Sequence, residues 1–132
     1  MPPRRSVTPT EAELEILQVL WERGPRTVRE VQEILDAKRP TGYTTVLKLL
    51  QVMFEKGYVT RDETERTHLY QAALAREDVQ TQIVETLIEK VFGGSANELV
   101  MRALGSAGAT PEELAQIRAV IERRRAEKDR KE

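Results

Sequence analysis

At four places along the 132 residues a helix start is marked by a hydroxyl side chain three places ahead of a glutamate, read as Thr8–Glu11, Thr27–Glu30, Ser95–Glu98 and Thr110–Glu113. In such a box the hydroxyl accepts the glutamate's N–H, and the glutamate reaches back to the N–H of the hydroxyl residue. Two orphan donors of a helix start are then satisfied locally. Pro9 and Pro111 follow two of the caps, where a missing N–H costs nothing. A chain punctuated in this way is committed to short helices, and each must bury one face against a neighbour.

The first helix carries Leu14, Leu17, Leu20 and Trp21 at helical spacing and stops at Gly24-Pro25. The second has Val31, Ile34 and Leu35 as its stripe and must end before Pro40, because the residue ahead of a proline avoids helical geometry. The third occupies "TGYTTVLKLLQVMFEKGYV", with Thr41 or Gly42 as its cap and Gly57 as a left-handed stop. Tyr58, Val59 and Thr60 then read as a strand, Asp62 to Glu65 as a polar turn, and Thr67 to Tyr70 as a second strand. Helix, helix, helix, hairpin is the order of a winged helix-turn-helix, expected over residues 1–74.

Residues 75–132 have a different character. Val79, Ile83, Leu87 and Val91 recur every four residues, flanked by Val84, Ile88 and Phe92, a stripe too wide for a lone exposed helix. Leu99, Val100, Ala103 and Leu104 mark a short helix after "GGSANE", and Leu114, Ile117, Val120 and Ile121 a last one. From Arg118 onward seven basic and four acidic residues form a tail expected to fray in solvent. The fold class expected is mainly α with a small β-hairpin wing: a winged-helix domain followed by a helical dimerisation segment. Val79, Ile83, Leu87, Val91, Leu99, Leu104, Ile117 and Ile121 are the expected dimer face.

Composition removes whole classes of function. With no cysteine there is no disulfide, thiolate metal site or cysteine nucleophile. His68 is the only histidine, which leaves no three-ligand zinc site and no nucleophile–base pair of the usual kind. It is expected as a partly exposed strand residue on the wing. Glu112 and Glu113 belong to a helix start and its dipole. The reading is a non-enzyme with no metal and no cofactor. No apolar run approaches the roughly 20 residues needed to cross a bilayer, and "MPPRRSVTPT" lacks the apolar stretch of a secretory signal. A cytoplasmic protein with no membrane insertion is expected.

The polar face of the third helix carries the functional signal. On a helical wheel Val46, Leu49, Leu50 and Met53 share one side, Thr44, Lys48, Gln51 and Glu55 the other, with Thr45 at the border. Between Asp36 and Glu55 lie three basic residues, Lys38, Arg39 and Lys48, and no acidic one, in a chain with 22 acids and a net charge of -1. A helix entering the major groove needs this: short side chains and no carboxylate to repel phosphate. The alternative is a merely solvated face, and the flanking helices and hairpin weigh against it. Lys38, Arg39, Arg66 and the N-terminal Arg4 and Arg5 are then expected on phosphates, with Thr41, Tyr43 and His68 completing the DNA face.

These residues resemble a known family. "TPTEAELEILQVLWERG", "TVREVQEIL", "GYTTVLKLLQVMFEKGYV" and "THLY" are similar to the penicillinase and methicillin-resistance repressors, the BlaI/MecI/CopY group of winged-helix regulators. The resemblance covers nearly the whole chain and is strongest over residues 8–74. It implies a homodimer that binds palindromic promoter DNA and represses transcription, with β-lactam-resistance, cell-envelope or neighbouring sensor-protease genes as targets. It places Thr44, Thr45, Leu47, Lys48 and Gln51 on the DNA side of the recognition helix. Some relatives have a charged residue at the Leu47 position; here Leu47 either touches a thymine methyl or completes the core. In family members with a membrane-embedded sensor metalloprotease, repression ends by cleavage of an Asn-Phe bond. That bond aligns with Arg102-Ala103, which lacks the pair, and the cysteines of the copper-responsive branch are absent. Two other functions stay open on the residues alone: a winged-helix protein-interaction module, and a regulator responding to a small ligand between its C-terminal helices.

Overall fold

The computed structural model describes residues 8–106 and 108–131. The chain divides into two compact units, Met1–Glu85 and Thr86–Glu132. The first contains α1 (Glu11–Arg23), α2 (Val28–Asp36), α3 (Tyr43–Lys56), β1 (Val59–Asp62) and β2 (Leu69–Ala72). Helix α4 (Arg76–Lys90) begins in the first unit and ends in the second, which also holds α5 (Ala96–Ser106) and α6 (Pro111–Lys131). The fold is the expected one, mainly helical with a two-stranded antiparallel hairpin as its wing.

Helix α1 opens two residues later than the Thr8 box implies. Thr10 is the N-cap: its Oγ1 accepts from the Glu13 N–H at 3.2 Å, and its own N–H donates to Glu13 Oε1 at 2.8 Å. Pro9 is buried just ahead of the cap instead of starting the helix. Both registers satisfy the spacing, and tertiary structure decides between them. A cap at Thr8 would use Glu11, which is exposed, whereas Glu13 is 2% exposed and its Oε2 accepts from Lys56 Nζ at 2.8 Å. The Thr27–Glu30 box on α2 and the Thr110–Glu113 box on α6 form as expected. At α5 the Glu98 N–H donates to Ser95 Oγ at 3.1 Å.

Ile16, Leu17 and Leu20 of α1 meet Val31 and Leu35 of α2 and Val46, Leu50 and Met53 of α3 in one core, closed by Val59 and Tyr70 of the hairpin. Helix α3 ends as expected at Gly57, with φ 82° and ψ 14°, and Tyr58 N–H returns to Met53 O at 2.8 Å. The Trp21 indole N–H donates to Leu74 O at 2.9 Å, tying α1 to the chain beyond β2.

The hairpin differs from its expected bounds: β1 runs on through Asp62, and β2 starts at Leu69, leaving Thr67 and His68 in the loop. The register pairs Val59 with Ala72 and Arg61 with Tyr70. It is fixed from outside the hairpin. Tyr70 is buried, and its backbone exchanges two hydrogen bonds with Arg26, Tyr70 N–H to Arg26 O at 2.8 Å and the reverse at 3.0 Å. Asp62 still organises the turn, accepting the Thr64 N–H at 2.9 Å from inside the strand.

In the second unit Gly93 and Gly94 adopt φ 58° and 87°, a left-handed pair that breaks the chain between α4 and α5. The basic tail expected to fray is helical to Lys131, and neither α5 nor α6 has a buried residue. Among the described residues no helix is long and apolar enough to cross a membrane.

Burial alone would raise the Glu13 carboxyl, but the bonds from Lys56 and Thr10 outweigh it and hold the group below the ordinary 4.5. A lowered folded value stabilises the protein above the unfolded one, and that contribution is lost as pH falls through the folded value. Glu13→Ala is expected to cost about 2–3 kcal/mol, a lost cap plus a broken pair whose lysine relaxes into water. Glu13→Gln should be less stable than the parent at pH about 7, with the gap closing by pH about 3. Urea denaturation at both pH values checks this; a gap that persists in acid would show that the charge of Glu13 contributes nothing.

Candidate nucleic-acid interface

Helix α3 begins without a side-chain cap. Gly42 is its N-cap and supplies no hydroxyl, so the first-turn N–H groups are left for an outside acceptor. Thr41 sits beside it, but its groups serve the turn from α2. Its N–H donates to Asp36 Oδ1, its hydroxyl donates to Arg39 O and its carbonyl accepts from Gln32 Nε2, at 2.8, 2.8 and 2.9 Å. Sequence reasoning put Thr41 on the DNA face; here its hydroxyl holds the entry angle of the helix.

The inner face of α3 is Val46, Leu50 and Met53, all fully buried, with Leu49 partly so. Tyr43, Thr44, Thr45, Lys48 and Gln51 are exposed, and Leu47 is half-buried against the core. The exposed side divides in two. Tyr43, Leu47 and Gln51, one helical turn apart, line an open groove of about 610 Å³ whose far wall is Arg66, Thr67 and His68 of the wing loop. Thr45 instead lines a smaller cleft of about 180 Å³ with Glu15, Arg39 and Thr41. There Arg39 donates to Glu15 Oε1 at 2.6 Å, an exposed ion pair that a phosphate would have to compete with. Thr44 and Lys48 project between these flanks, and Lys38 is exposed in the turn before α3. Arg4 and Arg5 lie outside the described residues.

Two basic residues in the large groove were missed from the sequence. Arg29 in the first turn of α2 stands 5.8 Å from the centre of the Tyr43 ring. Arg61 on β1 lies 4.0 Å over the Phe54 ring and donates from Nε to Glu63 Oε1 at 2.9 Å. Hydrogen bonding with Tyr70, then the Glu63 charge, holds its guanidinium above the ordinary arginine value. Period-two alternation from buried Val59 was the available signal for Arg61, since it puts Arg61 on the same face. For Arg29 only the packing of α2 against α3 brings it near, and no local pattern encodes that.

The second unit offers an apolar surface. Val91 is 65% and Met101 64% exposed, with Leu87, Leu104 and Ile121 also exposed and Leu99 and Ile117 half-buried; Ile83, half-buried, belongs to the first unit. Val79 departs from the expected dimer face: it is 2% exposed in the single chain, so its side chain is not available to a second one. Arg102 and Ala103 are exposed but lie inside α5, with Arg102 on a groove of about 840 Å³ beside Val91, Phe92 and Met101.

The chain is similar to known proteins over most of its length. The family model described as penicillinase repressor matches residues 9–123. A transcriptional regulator BlaI of Mycobacterium tuberculosis is 32% identical over 101 residues, covering 75% of this chain and 73% of that protein. The methicillin resistance regulatory protein MecI of Mammaliicoccus sciuri is 19% identical over 115 residues, covering 87% and 94%. Among solved structures, a MarR family protein from Bacillus stearothermophilus shares the fold, with a TM-score of 0.50 at 21% identity over 93% of this chain and 77% of that one.

The division of α3 into a buried and an exposed side has a direct stability consequence. Thr45→Ala and Lys48→Ala should each leave unfolding free energy within about 0.5 kcal/mol of the parent. Met53→Ala should lose about 2–5 kcal/mol through a core cavity. Chemical denaturation of the three variants tests the assignment, and an equal loss at Thr45 would mean the outer face is structural.

Proposed function

The chain belongs to the penicillinase repressor family, and from that premise we propose that it is a homodimeric, cytoplasmic DNA-binding repressor recognising a palindromic promoter operator. The observation that carries the reading is α3 itself. Its outward residues Tyr43, Thr44, Thr45, Lys48 and Gln51 are exposed on a helix with no acid in its first turn and no side-chain cap. Hydroxyls and an amide of this kind bond base edges, while the helix start and Lys48 attract phosphate. Carboxylates in the first turn would repel the DNA backbone, and none is there.

Dimerisation is supported by the second unit. Its α5 and α6 have no buried residue, and isolated helices of 11 and 21 residues are marginal in water without a packed face. Leu87, Val91, Met101, Leu104 and Ile121 supply that face, each contributing about 1.5–3 kcal/mol when fully covered. A second copy brings the same stripe by symmetry and holds two reading heads at a fixed half-site spacing. Cleavage at Arg102-Ala103 by a membrane sensor metalloprotease would require α5 to open first, because the bond sits in helical backbone and lacks the family's Asn-Phe pair.

Footprinting on DNA upstream of the protein's own gene should show a protected palindrome. Thr45→Ala should cost about 1–3 kcal/mol of operator affinity. Leu87→Asp should convert the dimer seen by sedimentation to a monomer and weaken operator binding through the lost second half-site. Unchanged affinity in both Thr45→Ala and Lys48→Ala would reduce the outer face of α3 to a solvated surface. A parent chain that sediments as a monomer at micromolar concentration would remove the dimer.

A further inference from the structure

Apolar packing holds a helix on its neighbours without fixing its rotation, because burial has no preferred direction. The inner face of α3 is of that kind: Val46, Leu50 and Met53 are fully buried and offer no N–H or O–H. A directional tie stands at the last residue of the helix. Lys56 reaches across 43 positions of sequence to Glu13 on α1, its Nζ donating to Oε2 at 2.8 Å. The acceptor is itself immobilised, since Glu13 is 2% exposed and its other oxygen takes the Thr10 N–H at 2.8 Å. Helix α3 has 14 residues, so at roughly 1.5 Å per residue Lys56 lies about 20 Å along the axis from Tyr43. Lys56 is out of reach of whatever Thr44 and Thr45 touch and influences it only through the helix. The leverage is geometric. A helix with its side chains has a radius of about 5–6 Å, so a turn of roughly 10° moves an outward tip by about 1 Å. Hydrogen bonds to base edges span only about 2.7–3.2 Å and are lost by such a shift, whereas attraction to a phosphate charge falls off slowly.

We propose that Lys56 is a positioning residue for sequence reading: its bond to Glu13 sets the rotation of α3, and so which base edges Thr44, Thr45 and Gln51 meet. The assignment rests on the DNA-binding reading above and adds to it a residue that touches no DNA. It separates two properties of the protein. Surface cations set how tightly any duplex is held, and the Glu13–Lys56 bond sets how much better the operator is held than other DNA.

The experiment measures affinity for the footprinted operator and for an unrelated duplex of equal length across roughly 50–200 mM salt, with circular dichroism giving the folded fraction of each variant. Lys56→Met keeps the apolar stem and removes the ammonium. It is expected to lower the operator-over-unrelated ratio about tenfold, the size of one lost base contact. Affinity for unrelated DNA and the salt slope should stay at the parent's values. Lys56→Arg keeps a donor for Glu13 and should return most of the ratio. Glu13→Gln combined with Lys56→Met leaves no unpaired buried charge, so it keeps the fold where Lys56→Met alone loses it, and should show the same lowered ratio. If the folded single or double variant retains the parent's ratio, the bond serves stability alone and the proposal falls. If both duplexes weaken by the same factor and the slope drops by about one, Lys56 itself binds phosphate and the proposal falls as well. A parent chain that binds neither duplex overturns the underlying reading instead, a failure visible in the parent's own curve before any variant is compared.

Discussion

The carboxylate of Glu13 answers donors from two helices of the N-terminal unit. One oxygen takes the Thr10 N–H at the start of α1, and the other takes the Lys56 ammonium at the end of α3. Buried at 2% exposure, it would be costly without both partners. The cap and the ion pair are therefore one interaction, and they set where the far end of α3 lies against α1. From that fixed end the helix runs back to Gly42, so the placement of Tyr43, Thr45 and Lys48 depends on a contact at the opposite end of α3.

A second constraint acts on the wing. The Arg26–Tyr70 backbone pair uses both backbone groups of Tyr70, so Arg61 opposite it is in a non-hydrogen-bonded position, where side chains approach most closely. This brings the Arg61 guanidinium to Tyr70 and over Phe54, and draws β1 and the start of α2 into one neighbourhood. The groove walls belong to residues as far apart as 27 and 70, held together by two hydrogen bonds.

Much of this was legible in the chain. Thr27–Glu30, Thr110–Glu113 and Gly57 were readable because each is a local device whose partners lie within a few residues. The buried side of α3 followed from periodicity for the same reason. Where local spacing allowed two answers, as with Thr8 and Thr10, only the distant Lys56 chose between them. The β2 bounds were misplaced by two residues because Arg26, far off in sequence, sets them. The site divides along the same line. Thr44, Thr45, Lys48 and Gln51 are placed outward by a wheel, whereas Arg29 and Arg61 come near α3 only through tertiary pairing, and the Thr41 hydroxyl is engaged in a turn no wheel represents.

The Arg26 pairing also bears on how the protein behaves when crowded. A bare hairpin has two open edges, and each is a template on which strands from other molecules can grow. Here the β2 edge is occupied at Tyr70, its buried centre. The β1 edge is four residues long and carries Arg61 and Asp62, charges that do not stack in register between like strands. The wing can therefore project a β-ribbon toward a charged surface without offering a seam for strand-by-strand aggregation.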